Sequence, residues 1–183
     1  MLDALAARDG FEALKIPITP PGTTQESQWL QVRQQKPDYV ILWGFGVMNP
    51  AAIKTAAKTG YPRNKIIGVW WAGSEEDVIP AGDAAKGYIS AAFSAPGTGF
   101  PVMQDIKNKL YAAGKGNLED PSRQGSIYHT RGVTYGILIV EAIRNAQNKF
   151  GKGKVMTPDQ VRGGLAHLDL SEARIKELGA AGL

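Results

Sequence analysis

The sequence predicts an α/β protein built on a parallel, three-layered sheet, and two observations carry that prediction. The apolar period switches repeatedly between strand-like and helix-like segments from residue 14 to residue 93. Three consecutive strand–helix–strand connections follow one another, each long enough for a right-handed crossover. Composition agrees: of 183 residues 43% are hydrophobic and 21% charged, with 22 Gly, 11 Pro and no Cys. That profile excludes a disordered chain, a collagen and a disulfide scaffold. The length corresponds to about one domain with enough apolar surface to bury a core.

The elements follow in order. Residues 1–9 read as the end of a helix stopped by Gly10. Leu14-Lys15-Ile16-Pro17-Ile18 alternates as a short strand, and Pro17 places it at an edge or a strand end. Thr23 and Thr24 are expected to cap a helix that carries Trp29, Leu30 and Val32 and ends at Lys36-Pro37-Asp38. Tyr39-Val40-Ile41-Leu42-Trp43 is apolar at every position, the pattern of a parallel strand buried on both faces. Gly44-Phe45-Gly46 follows as a loop, and Asn49-Pro50 reads as N-cap plus first-turn proline of a helix running to Thr59 and closed by Gly60. A strand is expected over 65–70, a short helical turn from Ser74 with Glu75, Glu76 and Asp77 at its positive end, and another strand over 88–93.

Beyond Ser94 the texture turns helical, with helices expected over 101–113, 126–149, 157–167 and 171–178. Thr157-Pro158-Asp159-Gln160 has the spacing of a capping box with proline at the first helical position. The long helix carries Val133, Ile137, Val140 and Ile143 on one face, with Leu138, Ile139 and Ala142 adding apolar surface nearby. That is more than one neighbouring layer needs, so the helix either lies between two layers or expects a partner.

Charge and motif content exclude several functions. The net charge is +4, but bases and acids are interleaved apart from the short group Lys149, Lys152 and Lys154, which reads as a solvated turn; no nucleic-acid partner is expected. Without Cys there is no thiol catalysis and no Cys-based zinc site. The longest apolar runs, such as Ile137-Leu138-Ile139-Val140, fall far short of the about 20 residues a membrane-spanning helix needs. The first nine residues mix acids and a base into an apolar pattern and do not read as a signal peptide. His129 and His167 stand in no metal-ligand spacing, no Gly-x-Ser-x-Gly elbow exists, and Gly44-Phe45-Gly46 lacks the third glycine of a dinucleotide fingerprint. Catalysis, a metal and a cofactor are therefore not expected.

The aromatic residues point to binding. Trp43 and Phe45 leave one strand end and Trp70 and Trp71 leave the next, and in a parallel sheet both ends open on the same edge. Flat side chains beside polar groups such as Asn49 and Ser74 describe a small-molecule pocket. Strand alternation would send one of Trp70 and Trp71 into the core and the other into the cleft.

Four stretches, in this order and spacing, resemble the C-terminal portion of a type I periplasmic solute-binding protein, the branched-chain amino acid receptor class of ABC importers. They are Gln31–Val40, Ala51–Gly60, Gly82–Tyr88, and Tyr128–Gly132 running into Glu141-Ala142-Ile143. The resemblance covers essentially the whole chain. It implies a Rossmann-like α/β ligand-binding lobe over 1–95 that lacks its first strand, followed over 96–183 by a crossing segment and helices that normally belong to the other lobe. It also implies a receptor that captures a small polar or aromatic solute, such as an amino acid or amide, without converting it, and delivers it to a membrane permease from the periplasm. A ligand-sensing domain of a regulatory protein is the alternative use of the same fold.

Carried over by position, Gly46, Val47, Met48, Asn49, Trp70 and Tyr128 would line the cleft, joining Trp43, Phe45 and Trp71. Members that bind aliphatic amino acids carry an acid where this chain has Trp70, and an indole offers a cation–π face in place of an ion pair. The resemblance further implies that the opposite lobe and the first strand of this one lie outside the 183 residues. The chain is therefore expected to be a piece of a longer protein, or to pair with another copy to cover exposed edges.

Overall fold

A computed structural model describes residues 2–183, which divide into two compact units, the first ending at Ala91 and the second spanning Ala92–Leu183. In the first unit, β1 (Val40–Leu42), β2 (Ile66–Gly68) and β3 (Ile89–Ser90) form a parallel sheet in the order β1-β2-β3. Val40 pairs with Ile66, Ile41 with Ile67 and Leu42 with Gly68, while Ile67 and Gly68 pair onward with Ile89 and Ser90. The helices of this unit are α1 (Leu2–Asp9), α2 (Glu26–Gln35), α3 (Met48–Lys58) and the single turn α4 (Glu75–Val78). The chain is thus a mostly helical α/β protein with a small parallel sheet in its first unit, as the alternating periodicity predicts.

The core explains the strand residues. Leu42 and Ile66 point to one face of the sheet and pack with Trp29 and Val32 of α2, Ala52 and Ala56 of α3, Tyr61 and Ala72. The alanines let α3 approach the sheet closely, and Trp29 meets Tyr61 with ring centroids 5.9 Å apart. The opposite face is different. Tyr39, Ile41, Trp43, Ile67 and Ile89 all remain exposed, and the pairings align Ile41, Ile67 and Ile89 in one row across the sheet. The 39–43 segment is therefore buried on one face, not on both.

Three local expectations yield to tertiary contacts. Leu14–Ile18 forms no strand among the described residues; Pro17 has no amide hydrogen to give a ladder, and this stretch instead tucks Ile16 against the core. Thr23 and Thr24 do not cap α2. Its N-cap is Gln25, whose fully buried amide donates to Gly22 O at 2.6 Å and Met48 O at 2.8 Å and accepts from the Trp29 indole at 3.3 Å, tying α2 to the start of α3. Asn49 is not an N-cap either. The Phe45–Asn49 segment already coils, with Met48 N–H on Phe45 O and Asn49 N–H on Gly46 O, so α3 begins earlier with Val47 at its N-cap.

In the second unit α5 (Pro101–Asp105) starts at the expected residue 101, then widens into π-helical turns over Ile106–Tyr111, with Ala112 N–H reaching back to Lys107 O. The long helix α6 (Ile127–Phe150) is capped by the Ser126 hydroxyl, α7 (Pro158–Ala166) by the Thr157–Gln160 box, and α8 (Glu172–Glu177) by Ser171. Ala142 and Ala146 of α6 are buried against Gly164 of α7, where a Cβ would strike the Ala142 carbonyl. Asn145 secures the same contact by donating to the Gly164 and His167 carbonyls. Ile139 and Val140 remain exposed, and Val140 borders a groove shared with Val102, Ile106, Val133, Ile137 and Leu178. The surplus apolar surface of α6 is left open.

A bidentate ion pair joins α6 to α8 in the second unit. Arg174 donates through Nε and Nη2 to both oxygens of the buried Glu141 carboxylate at 2.9 and 2.8 Å, with Arg144 at 3.4 Å. The Arg174 fork holds Glu141 below the usual carboxylate range, against the opposing effect of desolvation.

Two outcomes follow from this packing. In urea titrations Ile66→Ala, at a position with no exposed surface, lowers stability by about 2–5 kcal/mol, whereas the adjacent Ile67→Ala, 38% exposed on the open face, costs well under half as much. In acid the Glu141 contribution is lost with a defined sign. The folded carboxyl has the lower pKa, so the unfolded chain takes up the proton first. The contribution is complete above about pH 4.3 and disappears as pH falls through the folded value. Glu141→Gln flattens that acid limb in a plot of melting temperature against pH.

Candidate functional site

Because β1 and β2 are adjacent and parallel, their carboxyl ends reach the same edge of the sheet. The Val69 N–H donates to Leu42 O at 3.1 Å, carrying the pairing one residue past the ladder before the two chains part. From β1 the chain continues into Trp43, Phe45, Gly46 and Val47, all exposed; Trp43 is 70% exposed and continues the open-face series Tyr39 and Ile41. From β2 it enters a 3₁₀ turn over Trp70–Ala72. Trp70 and Trp71 are 37% and 40% exposed, and their rings pack against each other at 4.7 Å between centroids and an angle of 55°. Neither indole is core. The turn removes the strand alternation that would have sent them to opposite sides.

The two remaining first-unit positions lie behind this surface. Met48 is buried, its side chain against Gly22. Asn49 has no exposed surface, and its Nδ2 donates to Trp71 O at 3.0 Å and to Asp77 Oδ1 at 2.8 Å. Tyr128 belongs to the second unit, on the first turn of α6. There the Arg131 guanidinium lies 5.2 Å from the Tyr128 ring and 4.5 Å from Phe93, two cation–π contacts on one buried cation.

The Trp70–Trp71 turn is braced from inside. Asp77 is buried at the third position of α4, and its Oδ2 accepts from both the Ser74 N–H and the Ser74 hydroxyl, at 3.0 and 2.9 Å. The acidic run is thus not a cluster facing one point, since one member turns back to close a capping box. Tyr88 donates its hydroxyl to Ala72 O at 2.8 Å, and burial first, then the Asp77 charge, raises its phenol well above the ordinary range. Gly68 is required beneath it, because a Cβ there would collide with the Tyr88 hydroxyl. Asp77 and Tyr88 were not legible as bracing residues, although the Ser74-x-x-Asp77 spacing signals the box; Gln25 carries no sequence signal at all.

Chemically the edge offers aromatic surface and backbone polarity. His129 lies in the second unit, where its Nδ1 accepts from Gly125 N–H at 2.9 Å and its Nε2 meets the Tyr111 hydroxyl at 3.2 Å. Among the described residues no group of three His, Asp or Glu side chains has the geometry to hold a metal ion. Two surface depressions, of about 250 and 320 Å³, lie elsewhere: one between Arg33, Lys36, Tyr61 and Lys65, the other the groove beside α6.

Comparison with known proteins agrees with this architecture. Among solved structures the chain is similar to one described as an ABC transporter permease from the Pseudomonas fluorescens group, at 44% identity and a TM-score of 0.87, covering 100% of this chain and 44% of that one. It shares its fold with a branched-chain amino acid ABC transporter from Thermus thermophilus with bound valine, at 19% identity and a TM-score of 0.71, covering 94% of this chain and 43% of that one. The chain therefore spans less than half the length of either. No curated protein matches it. The sequence profile of periplasmic binding proteins matches residues 2–178, and this chain accordingly belongs to the periplasmic binding protein family.

Proposed function

We propose that this chain supplies one wall of a solute-binding site, formed within the first unit by Trp43, Phe45, Gly46, Val47, Trp70 and Trp71, with Met48 and Asn49 behind them. The observation that carries the reading is the parallel pairing of β1 with β2, which delivers two aromatic segments to one sheet edge in a chain of the periplasmic binding protein family. The solute is a small polar or aromatic molecule, an amino acid, amide or related compound, captured without chemistry and passed to an ABC permease in the periplasm. Trp70 favours a ligand recognised by a flat face or by cation–π attraction over one held through an ion pair at that position.

A thermal-shift screen of this chain against amino acids, amides, ureas and aromatic acids tests the reading. At least one class raises the melting temperature, and Trp70→Ala weakens binding of each hit by about tenfold or more, equivalent to ~1.4 kcal/mol. Hits indifferent to both Trp70→Ala and Trp71→Ala refute the wall.

The row Ile41, Ile67 and Ile89 supports a second property, association of this chain with another copy of itself through the open sheet face. Sedimentation velocity then shows a species heavier than the monomer, which Ile41→Lys with Ile67→Lys returns to monomer. A monodisperse wild-type monomer rules it out.

A further inference from the structure

We propose that Asn49 is a positioning residue, a strut that sets the spacing and orientation of the two aromatic arms without touching the solute; its role in recognition rests on the solute-wall reading above. Asn49 has no exposed surface, so its amide is out of a ligand's reach. Both of its N–H donors are engaged on the far side of the wall, one at the Trp71 carbonyl and one at Asp77 Oδ1, while Asp77 in turn holds Ser74 through its second oxygen. One amide therefore links the first turn of α3, the 3₁₀ turn of the tryptophan pair and the start of α4, all within the first unit.

The other end of the same side chain engages the β1 arm. Asn49 Oδ1 is buried and accepts no hydrogen bond, and it lies over Gly44, where an added Cβ would collide with it. Gly44 joins Trp43 to Phe45, and its φ is not in the left-handed region, so glycine is needed there for close approach and not for backbone conformation. Asn49 is thus packed against one arm and hydrogen-bonded to the other. Its shape and its two donors fix the distance between them, the kind of support that preorganises a site.

The test reads the indole N–H resonances of the four tryptophans in ¹H–¹⁵N spectra of this chain, without any solute. Trp29 is the internal control, because it is buried in the core with its indole on Gln25 Oε1. Asn49→Ala is expected to move or broaden the Trp43, Trp70 and Trp71 signals while Trp29 stays in place and the melt stays cooperative. Gly44→Ala, which deletes no hydrogen-bonding group, does the same by pushing on Oδ1. The double variant Asn49→Ala with Gly44→Ala loses this second perturbation, because the obstacle to the new methyl group has gone. Signals of the two arms that stay put in Gly44→Ala overturn the proposal, as does an additive double variant or a Trp29 shift as large as the others. If Asn49→Ala does not fold, Gly44→Ala alone decides. Since these readouts need no ligand, a chain that binds no solute refutes the wall and leaves the strut standing. With a hit from the screen, Asn49→Ala weakens its binding at least tenfold although Asn49 makes no contact.

Discussion

Parallel pairing of β1 with β2 is the constraint on which the remainder of the first unit depends. Two neighbouring strands running the same way must release their chains at the same edge, and the Val69 to Leu42 hydrogen bond holds them together one residue beyond the ladder. Past that point the backbones diverge, and the one leaving β2 is caught by two side chains from elsewhere: Asn49 at the Trp71 carbonyl, Tyr88 at the Ala72 carbonyl. The cost of leaving such carbonyls without a donor in a buried setting is about 1–3 kcal/mol each, so the turn carrying the indoles is held by its own hydrogen-bond requirements.

The second unit follows a different physical logic. Its helices are capped locally, by Ser126, Thr157 with Gln160, and Ser171, then joined through small residues and one bidentate ion pair. Gly164 against Ala142 brings two backbones into near contact, while the larger apolar residues of α6 remain open along the groove with Val102 and Leu178. Tyr128 and Arg131 sit at the capped end of this helix, where the tyrosine ring is held against a buried cation.

Much of this was readable residue by residue. Three of the four expected strands, the helix order and the parallel class followed from periodicity, and the α7 capping box from spacing, whereas the strand expected over Leu14–Ile18 does not form among the described residues. The aromatic positions at the strand ends were equally plain. Their disposition was not: Trp70 and Trp71 were expected to alternate as in a strand, and instead both lie on a 3₁₀ turn, partly exposed and packed against each other at a tilt. Asn49 looked like a cap because Asn before Pro often is one; a contact 28 positions away, at Asp77, reassigned its amide. Gln25 displaced Thr23 and Thr24 for the same reason, its partner Met48 lying 23 residues on.

What the sequence determined by itself was whatever local chemistry decides: the alternation of elements, the direction of the sheet, the capping box of α7, and the aromatic residues at the strand ends. Tertiary structure alone decided which face of the strands is covered, whether a buried amide serves a helix end or a distant carboxylate, and which glycines are needed for close approach. The physical reason is common to all three. Burial makes every polar group seek a partner and every methyl group a space, and those partners and spaces are supplied by segments far away in the chain.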